Sequence, residues 1–319
     1  WMTRLLADGG KSLTLEERVG TVSDLTALVR AGQIPYGDAL PLTSKLAQDE
    51  SRFVVEMASS LVAGLRDGQL LPESLLPSYA RFVRDAFGAR ARRLGWQPKA
   101  GENDDTRLLR NELLPLVADQ GDDRELQAEA TRLAQLWLKD RRAINAEIVD
   151  GVLRTAVARG DRALFEQLHA KAQTETDRRQ RNQMLRAMGG FSDPQIVQTA
   201  MDLTLASQFE PREAMALIWG ATRRPATRKL AYDFIKTHFD ALVTKLPRDA
   251  GANFPFIGAT LCEEAARQDI ETFFRDRAPR FTGGPRLLSQ ALERVRLCSA
   301  FRRSQTPSVT AFFQKIAAK

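Results

Sequence analysis

Apolar residues recur at helical spacing along almost the whole 319-residue chain, and this pattern limits the fold more than any other feature. One stripe is formed by Val22, Leu25, Leu28 and Val29. Further stripes occur at Leu126, Ala130, Leu133 and Trp137, at Leu164, Leu168 and Ala172, and at Val197, Met201 and Leu205. No convincing stretch alternates apolar and polar side chains as a half-buried strand does. The sequence therefore predicts an all-α protein.

Capping signals indicate where individual helices begin. Thr14 and Glu17 have the spacing of a capping box, in which the hydroxyl and the carboxylate each accept a bond from a backbone amide at the helix start. A second helix is predicted from about Tyr36 to Leu46. Asp193 followed by Pro194 predicts another start, because Asp can cap a helix and Pro at the first helical position loses nothing by lacking its N–H.

Weak internal repetition indicates how these helices are arranged. Gly121-Asp122 and Gly160-Asp161 open similar segments 39 residues apart. This period fits helix-pair repeats of the HEAT or armadillo kind, which are about 40–47 residues long. Such pairs bury one face against their neighbours, so the predicted architecture is a curved superhelix of antiparallel helix pairs. An irregular helical domain with coincidental turns is the alternative.

The chain is long enough for one large domain or two ordinary ones. A polar, turn-rich stretch at residues 97–105 marks a possible internal boundary. We interpret it as a surface loop, so that residues 1–319 form a single helical domain, and an interdomain linker is the alternative. No apolar run approaches the ~20 residues that a membrane span needs, so no membrane contact is predicted.

The net charge is +7, and arginines cluster at residues 90–93, 178–181 and 223–224. We interpret these clusters as solvated helix faces. Aromatic side chains do not interleave with them as base-stacking platforms would, so no nucleic-acid partner is predicted. A basic solenoid that binds nucleic acid is retained as a less favoured alternative.

Cys262 and Cys298 each follow a leucine within a helical pattern. We predict that both are free, buried and apolar in character, with a disulfide between them as the alternative. The first twenty residues lack the apolar segment of a signal peptide. Neither feature specifies the cellular compartment, and we expect a soluble protein of the bacterial cytoplasm or periplasm. Trp1 before Met2 predicts that the sequence is a piece of a longer protein.

Several short motifs occur in an order and spacing that resemble one enzyme family. Residues 18–50 resemble the pattern R…D-x-x-x-L-x-R-A-G…L-x-L…E. Further matches are Leu94-Gly95-Trp96, Glu102, Leu108-Leu109-Arg110, Gly121-Asp122, Asp193-Pro194, and Arg224-Pro225 with Tyr232-x-Phe234, where Arg224 replaces a usual Asn and Tyr232 a usual Trp. Together they resemble the C-terminal (ERAP-like) helical domain of the zinc aminopeptidase N and puromycin-sensitive aminopeptidase family, over nearly the whole chain.

The resemblance implies a HEAT-like superhelix that caps a catalytic domain, limits access to it and helps to position peptides. The family's catalytic half carries H-E-x-x-H, whereas neither His169 nor His238 has a histidine four residues away. We therefore expect no activity, metal or cofactor in this chain, and zinc in a catalytic domain that it lacks. The implied partners are that domain of the same polypeptide and peptide substrates. A free-standing HEAT-like interaction scaffold is the alternative.

Two arginines are the candidate residues for peptide contact. Arg107 and Arg110 are three residues apart, hence on one helix face. A guanidinium suits the terminal carboxylate of a peptide because it can donate two parallel hydrogen bonds. The alternative is an ion pair with Glu102, Asp104 or Asp105.

Overall fold

The computed structural model describes residues 2–317, and within that range it consists of helices and connecting turns without a β-strand. The all-α prediction is therefore confirmed. Trp1, Ala318 and Lys319, at the ends of the predicted domain, lie outside the described residues. The α-helices are Met2–Leu5, Leu15–Arg30, Tyr36–Leu46, Arg52–Asp67, Leu76–Val83, Ala89–Leu94, Asp104–Pro115, Arg124–Lys139, Val149–Ala158, Arg162–Thr174, Arg178–Met188, Pro194–Asp202, Pro211–Ala221, Pro225–Lys245, Pro255–Gly258, Glu264–Phe274 and Gly284–Ala317.

Shorter helical turns connect several of these helices. The 3-10 turns are Glu73–Leu75, Ala250–Asn253, Ala259–Leu261 and Ala278–Arg280, and the π-helical turns are Arg84–Gly88 and Leu116–Gln120. Both π-helical turns directly continue an α-helix, so in each case one helix widens before it ends or resumes its α-helical course.

The chain divides into two compact units. The first unit comprises residues 2–130, 144–151 and 300–317, and the second comprises residues 131–143 and 152–299. Each unit therefore contains segments that are distant in the sequence.

The possible boundary at residues 97–105 lies inside the first unit. There it forms most of the connection between helices Ala89–Leu94 and Asp104–Pro115. The assignment of residues 1–319 to a single domain stays a prediction.

The first long helix, Leu15–Arg30, begins as the sequence predicts. The Thr14 hydroxyl accepts a hydrogen bond from the Glu17 N–H at 3.3 Å, and the Glu17 carboxylate accepts one from the Thr14 N–H at 2.8 Å. The capping box is thus confirmed. Three members of the predicted apolar stripe, Val22, Leu25 and Val29, are fully buried, whereas the fourth, Leu28, is half-buried. The second predicted helix is observed as Tyr36–Leu46.

Residues 300–317, which end the last helix, pack into the first unit. The buried side chain of Gln305 accepts a hydrogen bond from the Tyr36 N–H at 2.7 Å. Its amide nitrogen donates to the carbonyl oxygens of Val29 and Ile34, at 3.2 and 3.3 Å. One side chain therefore satisfies backbone groups at the end of one helix and the start of the next.

Aromatic packing reinforces this attachment of the last helix. Phe313 is fully buried, and its ring lies edge-on to Tyr79 and Phe82 with centroids 5.8 Å away in both cases. Gly37 allows the backbones to approach, because a Cβ there would collide with the carbonyl of Ser308. The core of the first unit thus depends on both ends of the described sequence.

In the second unit, helices Arg178–Met188 and Pro211–Ala221 run side by side in the same direction. Arg181 near the start of one helix bonds Glu213 near the start of the other, and Gly189 packs against the far end of the second helix. A helix therefore contacts the next but one along the chain, as stacked helix pairs do. The superhelical, HEAT-like course of the chain stays a prediction.

The two cysteines form a disulfide, so the prediction that they are free was wrong. Cys262 does not lie in a helix but between the turn Ala259–Leu261 and the helix Glu264–Phe274. Cys298 lies in the helix Gly284–Ala317, and the two Cα atoms are 5.4 Å apart, within bonding range. Helical spacing gives no information about such a pairing between distant segments.

Candidate functional site

The candidate peptide-contact residues lie on the helix Asp104–Pro115 of the first unit. Asn103 caps this helix by accepting a hydrogen bond from the Thr106 N–H at 2.9 Å. Asp104 and Asp105 place negative charge in the first turn, where the helix dipole favours it. These interactions fix the start of the helix and thereby the position of the two arginines that follow.

Arg110 is buried inside the first unit, where its side chain is 1% exposed and bonds to the loop that precedes its helix. Its Nε donates to the Gly95 carbonyl at 2.9 Å, and its Nη2 lies 2.6 Å from both carboxylate oxygens of Glu102 and 3.4 Å from the Leu94 carbonyl. The Arg110 guanidinium lowers the pKa of Glu102 below its ordinary value of 4.5. The ion pair that the sequence offered as the alternative role is therefore present.

Arg107 faces the surface, with a side chain that is 37% exposed. Its Nε donates to Glu147 at 3.0 Å, its Nη2 donates to the second oxygen of the same carboxylate, and its Nη1 donates to Asp104 at 3.2 Å. Hydrogen bonding to Glu147 raises the pKa of Arg107. The helix thus carries one buried and one exposed guanidinium, and peptide contact by Arg107 and Arg110 stays a prediction.

Glu147 is a residue that sequence reasoning missed. It lies 40 residues beyond Arg107, in the short segment 144–151 that belongs to the first unit. No local sequence pattern predicts the contact between Arg107 and Glu147, because residues assigned to the other unit separate the segment 144–151 from the helix that carries Arg107. Its acidic side chain alone did not distinguish it from the other exposed carboxylates.

A second charged group, Arg52, links the same helix to its neighbour Arg52–Asp67. Its guanidinium donates to Asp105 at 2.8 Å and to Glu56 at 2.9 Å, and it lies 4.1 Å from the ring centroid of Phe53. Phe53 and Leu108 are 47% and 48% exposed. Each of the two helices therefore carries one large exposed apolar side chain in addition to its ion-paired groups.

A charged cluster of the second unit centres on Glu213, whose side chain is 4% exposed. Arg181 donates to it at 2.7 and 3.2 Å, and Arg178 donates at 2.8 Å. These bonds, those of Arg181 first, lower the pKa of Glu213 below its ordinary value of 4.5. The predicted solvated face therefore holds for Arg178, which is 71% exposed, and fails for Arg181, which is 23% exposed.

The two histidines occupy unrelated places in the second unit. The Nε2 of His169 lies 2.8 Å from the Oε1 of Gln208, and the His238 ring lies 4.5 Å from that of Phe234, between centroids. Across residues 2–317, no group of three histidine, cysteine or carboxylate side chains is placed to hold a metal ion. Neither histidine joins the arginine clusters in these contacts.

These clusters fasten helices to one another by pairing guanidinium and carboxylate groups. Their exposed members, Arg107 and Arg178, retain donor groups at the surface that can meet an anionic group. None of the described α-helices is sufficiently long and apolar to cross a membrane.

Comparison with known proteins gives a consistent result. The family model of the ERAP1-like C-terminal domain matches residues 2–297. Aminopeptidase M1 of Arabidopsis thaliana is 26% identical over 310 residues, covering 91% of this chain and 33% of that protein. Aminopeptidase M1-A of Oryza sativa subsp. japonica is 25% identical over 300 residues (89% and 33%), and aminopeptidase A of Gloydius brevicauda is 24% identical over 298 residues (89% and 30%). The chain spans about a third of the length of these relatives.

Proposed function

The chain belongs to the family of ERAP1-like C-terminal domains, and we propose that it is the non-catalytic C-terminal domain of a zinc metallo-aminopeptidase. In this role it caps the active-site chamber, restricts access to it and helps to position peptide substrates. Its partners are the catalytic domain of the same polypeptide and the peptides that this domain cleaves.

The observation that carries the proposal is the extent of the match. The family model covers residues 2–297, and relatives named as aminopeptidases align with most of this chain over about a third of their own length. The sequence itself has two histidines and no H-E-x-x-H. The ligands for zinc and the acid–base groups are therefore expected in the remainder of the parent protein.

The proposed mechanism is steric and electrostatic. A HEAT-like superhelix presents an extended concave surface, which can form the wall of a chamber from which folded proteins are excluded. Our candidates for contact with the catalytic domain are the helices Arg52–Asp67 and Asp104–Pro115, because each carries a large exposed apolar side chain, Phe53 or Leu108, as well as charged groups.

Arg107 is the proposed contact for the terminal carboxylate of a peptide, with Arg110 holding the same helix in place. In the complete enzyme, Arg107→Ala should raise KM for peptides with a free C-terminal carboxylate and leave KM for their C-terminal amides unchanged. Arg107→Lys, which keeps the charge but loses the bidentate geometry, should lie between the two. Equal changes for acids and amides would restrict Arg107 to its ion pair with Glu147.

The compartment and the excluded partners belong to the proposal as well. We retain the bacterial cytoplasm or periplasm as the expected location, although the relatives named above are eukaryotic proteins. We expect no nucleic-acid or membrane partner. A gel shift with duplex DNA at low salt should show no complex, and binding that weakens steeply with salt would favour the basic solenoid instead.

The decisive experiment is the size of the native polypeptide, by immunoblot of source-cell extract with antibody against this chain. A band far above 35.6 kDa that co-fractionates with zinc-dependent aminopeptidase activity is expected. A band at the mass of the chain itself would overturn the proposal and favour a free-standing scaffold. Removing residues 2–317 from the large enzyme should then widen its substrate access, measured as cleavage of longer or folded substrates.

A further inference from the structure

The disulfide of the second unit is a feature that the proposed function does not use. It joins Cys262 to Cys298 across 36 residues of sequence. The loop that it closes contains the helix Glu264–Phe274 and the turn Ala278–Arg280. Because Cys298 lies in the following long helix, the bond fixes the loop at both of its ends.

The closed loop carries three of the aromatic side chains that pack against Phe239. The rings of Phe273, Phe274 and Phe281 lie edge-on to it, with centroid separations of 5.8, 5.9 and 6.2 Å. The Arg277 guanidinium lies over this group, 4.0 Å from the Phe273 centroid. The disulfide that holds this loop therefore helps to keep the aromatic rings packed against Phe239.

Cys262 has a backbone conformation that favours glycine. Its φ is +58° and its ψ is +37°, in the left-handed region that L-residues with a Cβ rarely adopt. The residue is 2% exposed, and Cys298 is half-buried. The bond thus holds in place a backbone conformation that a free cysteine disfavours.

We propose that the Cys262–Cys298 disulfide is a redox-dependent crosslink that stabilises the second unit, and that it forms in an oxidising compartment. Disulfides persist in such compartments and are rare where thiol systems keep cysteines reduced. Of the two bacterial locations considered above, this selects the periplasm. The inference rests on the cysteine pair and stands whether or not the parent protein is an aminopeptidase.

The bond forms by two exchanges with a disulfide oxidant, such as an exported dithiol oxidoreductase. One cysteine thiolate attacks the oxidant's disulfide, which gives a mixed disulfide and releases one oxidant thiolate. The second cysteine thiolate then attacks the mixed disulfide and releases the other. Overall the two cysteines lose two protons and two electrons, and the oxidant's disulfide becomes a dithiol.

The first test is the thiol state of the protein in source cells. Cells are quenched with acid, the proteins are denatured, and free thiols are tagged with a maleimide polymer before immunoblotting. Native protein should take up more tags after reduction than before it, and a variant with both Cys262→Ala and Cys298→Ala should gain two fewer tags on reduction. An equal gain in the native protein and the double variant would overturn the proposal.

The second test measures what the bond contributes to the stability of the 319-residue chain. Reduction should lower the thermal unfolding midpoint of the wild-type protein by roughly 10 °C and leave that of Cys298→Ala unchanged. Both Cys262→Gly and Cys262→Ala lack the bond, but the glycine variant should unfold roughly 3 °C higher because it fits the left-handed backbone. A reductant response of the wild type no larger than that of Cys298→Ala would overturn the proposal.

Discussion

A single buried guanidinium gives a physical reason for the spacing of the L-G-W, Glu and Arg positions in the first unit. Arg110 bonds the carbonyls of Leu94 and Gly95 and the carboxylate of Glu102, so the loop before the helix is fastened to the helix itself. Gly95 has φ +63°, which lets the chain turn beside the arginine. The pattern is therefore explained at the scale of one residue and its partners.

Replacing this arginine should destabilise the first unit strongly. Arg110→Ala leaves Glu102 and two carbonyls without their donor inside the protein, and we expect a loss of about 3 kcal/mol in the free energy of unfolding. Denaturant titration measures the loss. Arg107→Ala on the same helix is the matched control and should have a much smaller effect, because that side chain is exposed. Equal losses would contradict a fastening role for Arg110.

The charge on Glu213 should make the second unit sensitive to acid. Arg181 and Arg178 lower its pKa in the folded state, so its contribution is complete above the ordinary value of 4.5 and is lost as the pH falls from there through the lowered pKa. Glu213→Gln should cost about 2 kcal/mol at pH 7 and flatten the fall in stability below pH 4.5. Glu293→Gln, at an exposed ion pair, is the control. An unchanged acid profile in Glu213→Gln would contradict the prediction.

At the scale of the helix, the local signals in the sequence were sufficient wherever a few neighbouring residues decide the outcome. The capping box at Thr14 and the helix start at Asp193-Pro194 are both present, since a cap involves residues no more than three apart. The helix Tyr36–Leu46 has the bounds that the apolar spacing predicts. Phe53, in contrast, has helical spacing with Met57 and Leu61 and is nevertheless 47% exposed, because spacing does not reveal which neighbours cover a helix.

The contact between two helices of the second unit depends on glycine at the crossing. A Cβ on Gly220 would lie 2.7 Å from the Cα of Gly189, closer than real Cβ contacts. Gly220→Ala should therefore push the helices apart and cost roughly 1–3 kcal/mol. Gly20→Ala is the matched control: Gly20 is exposed in a helix with no neighbouring atom within 4 Å, and alanine there should stabilise by about 0.5–1 kcal/mol. The thermal unfolding midpoints of both variants test this prediction. Equal shifts of the same sign would contradict a requirement for glycine where the two helices meet.

At the scale of the whole molecule, contacts between distant segments could not be predicted from the sequence. The pairing of Cys262 with Cys298, of Arg107 with Glu147 and of Gln305 with Tyr36 depends on how the chain returns to itself. Helical periodicity specifies which face of a helix is buried and leaves its partner open. The fold class and the family pattern could therefore be predicted from the sequence. The partners of the candidate arginines could be predicted only in part: Glu102 was among the alternatives named, and Glu147 was missed.

The return of residues 300–317 to the first unit gives the prediction with the widest consequence. These residues lie beyond the segment that the family model matches, yet they supply the buried side chains of Gln305 and Phe313. Phe313→Ala removes a fully buried ring and should cost about 3–4 kcal/mol, whereas Phe53→Ala, at a half-exposed ring, should change stability by about 0.5 kcal/mol or less.

Ending the chain at Ser299 should go further than either substitution. It leaves the N–H of Tyr36 and the carbonyls of Val29 and Ile34 without Gln305 and uncovers the rings of Tyr79 and Phe82. Hydrogen exchange should then lose protection in the helices of the first unit that contact these residues. Protection equal to that of the full chain would mean that the first unit is complete without its last helical segment, because protection tracks the local free energy of opening.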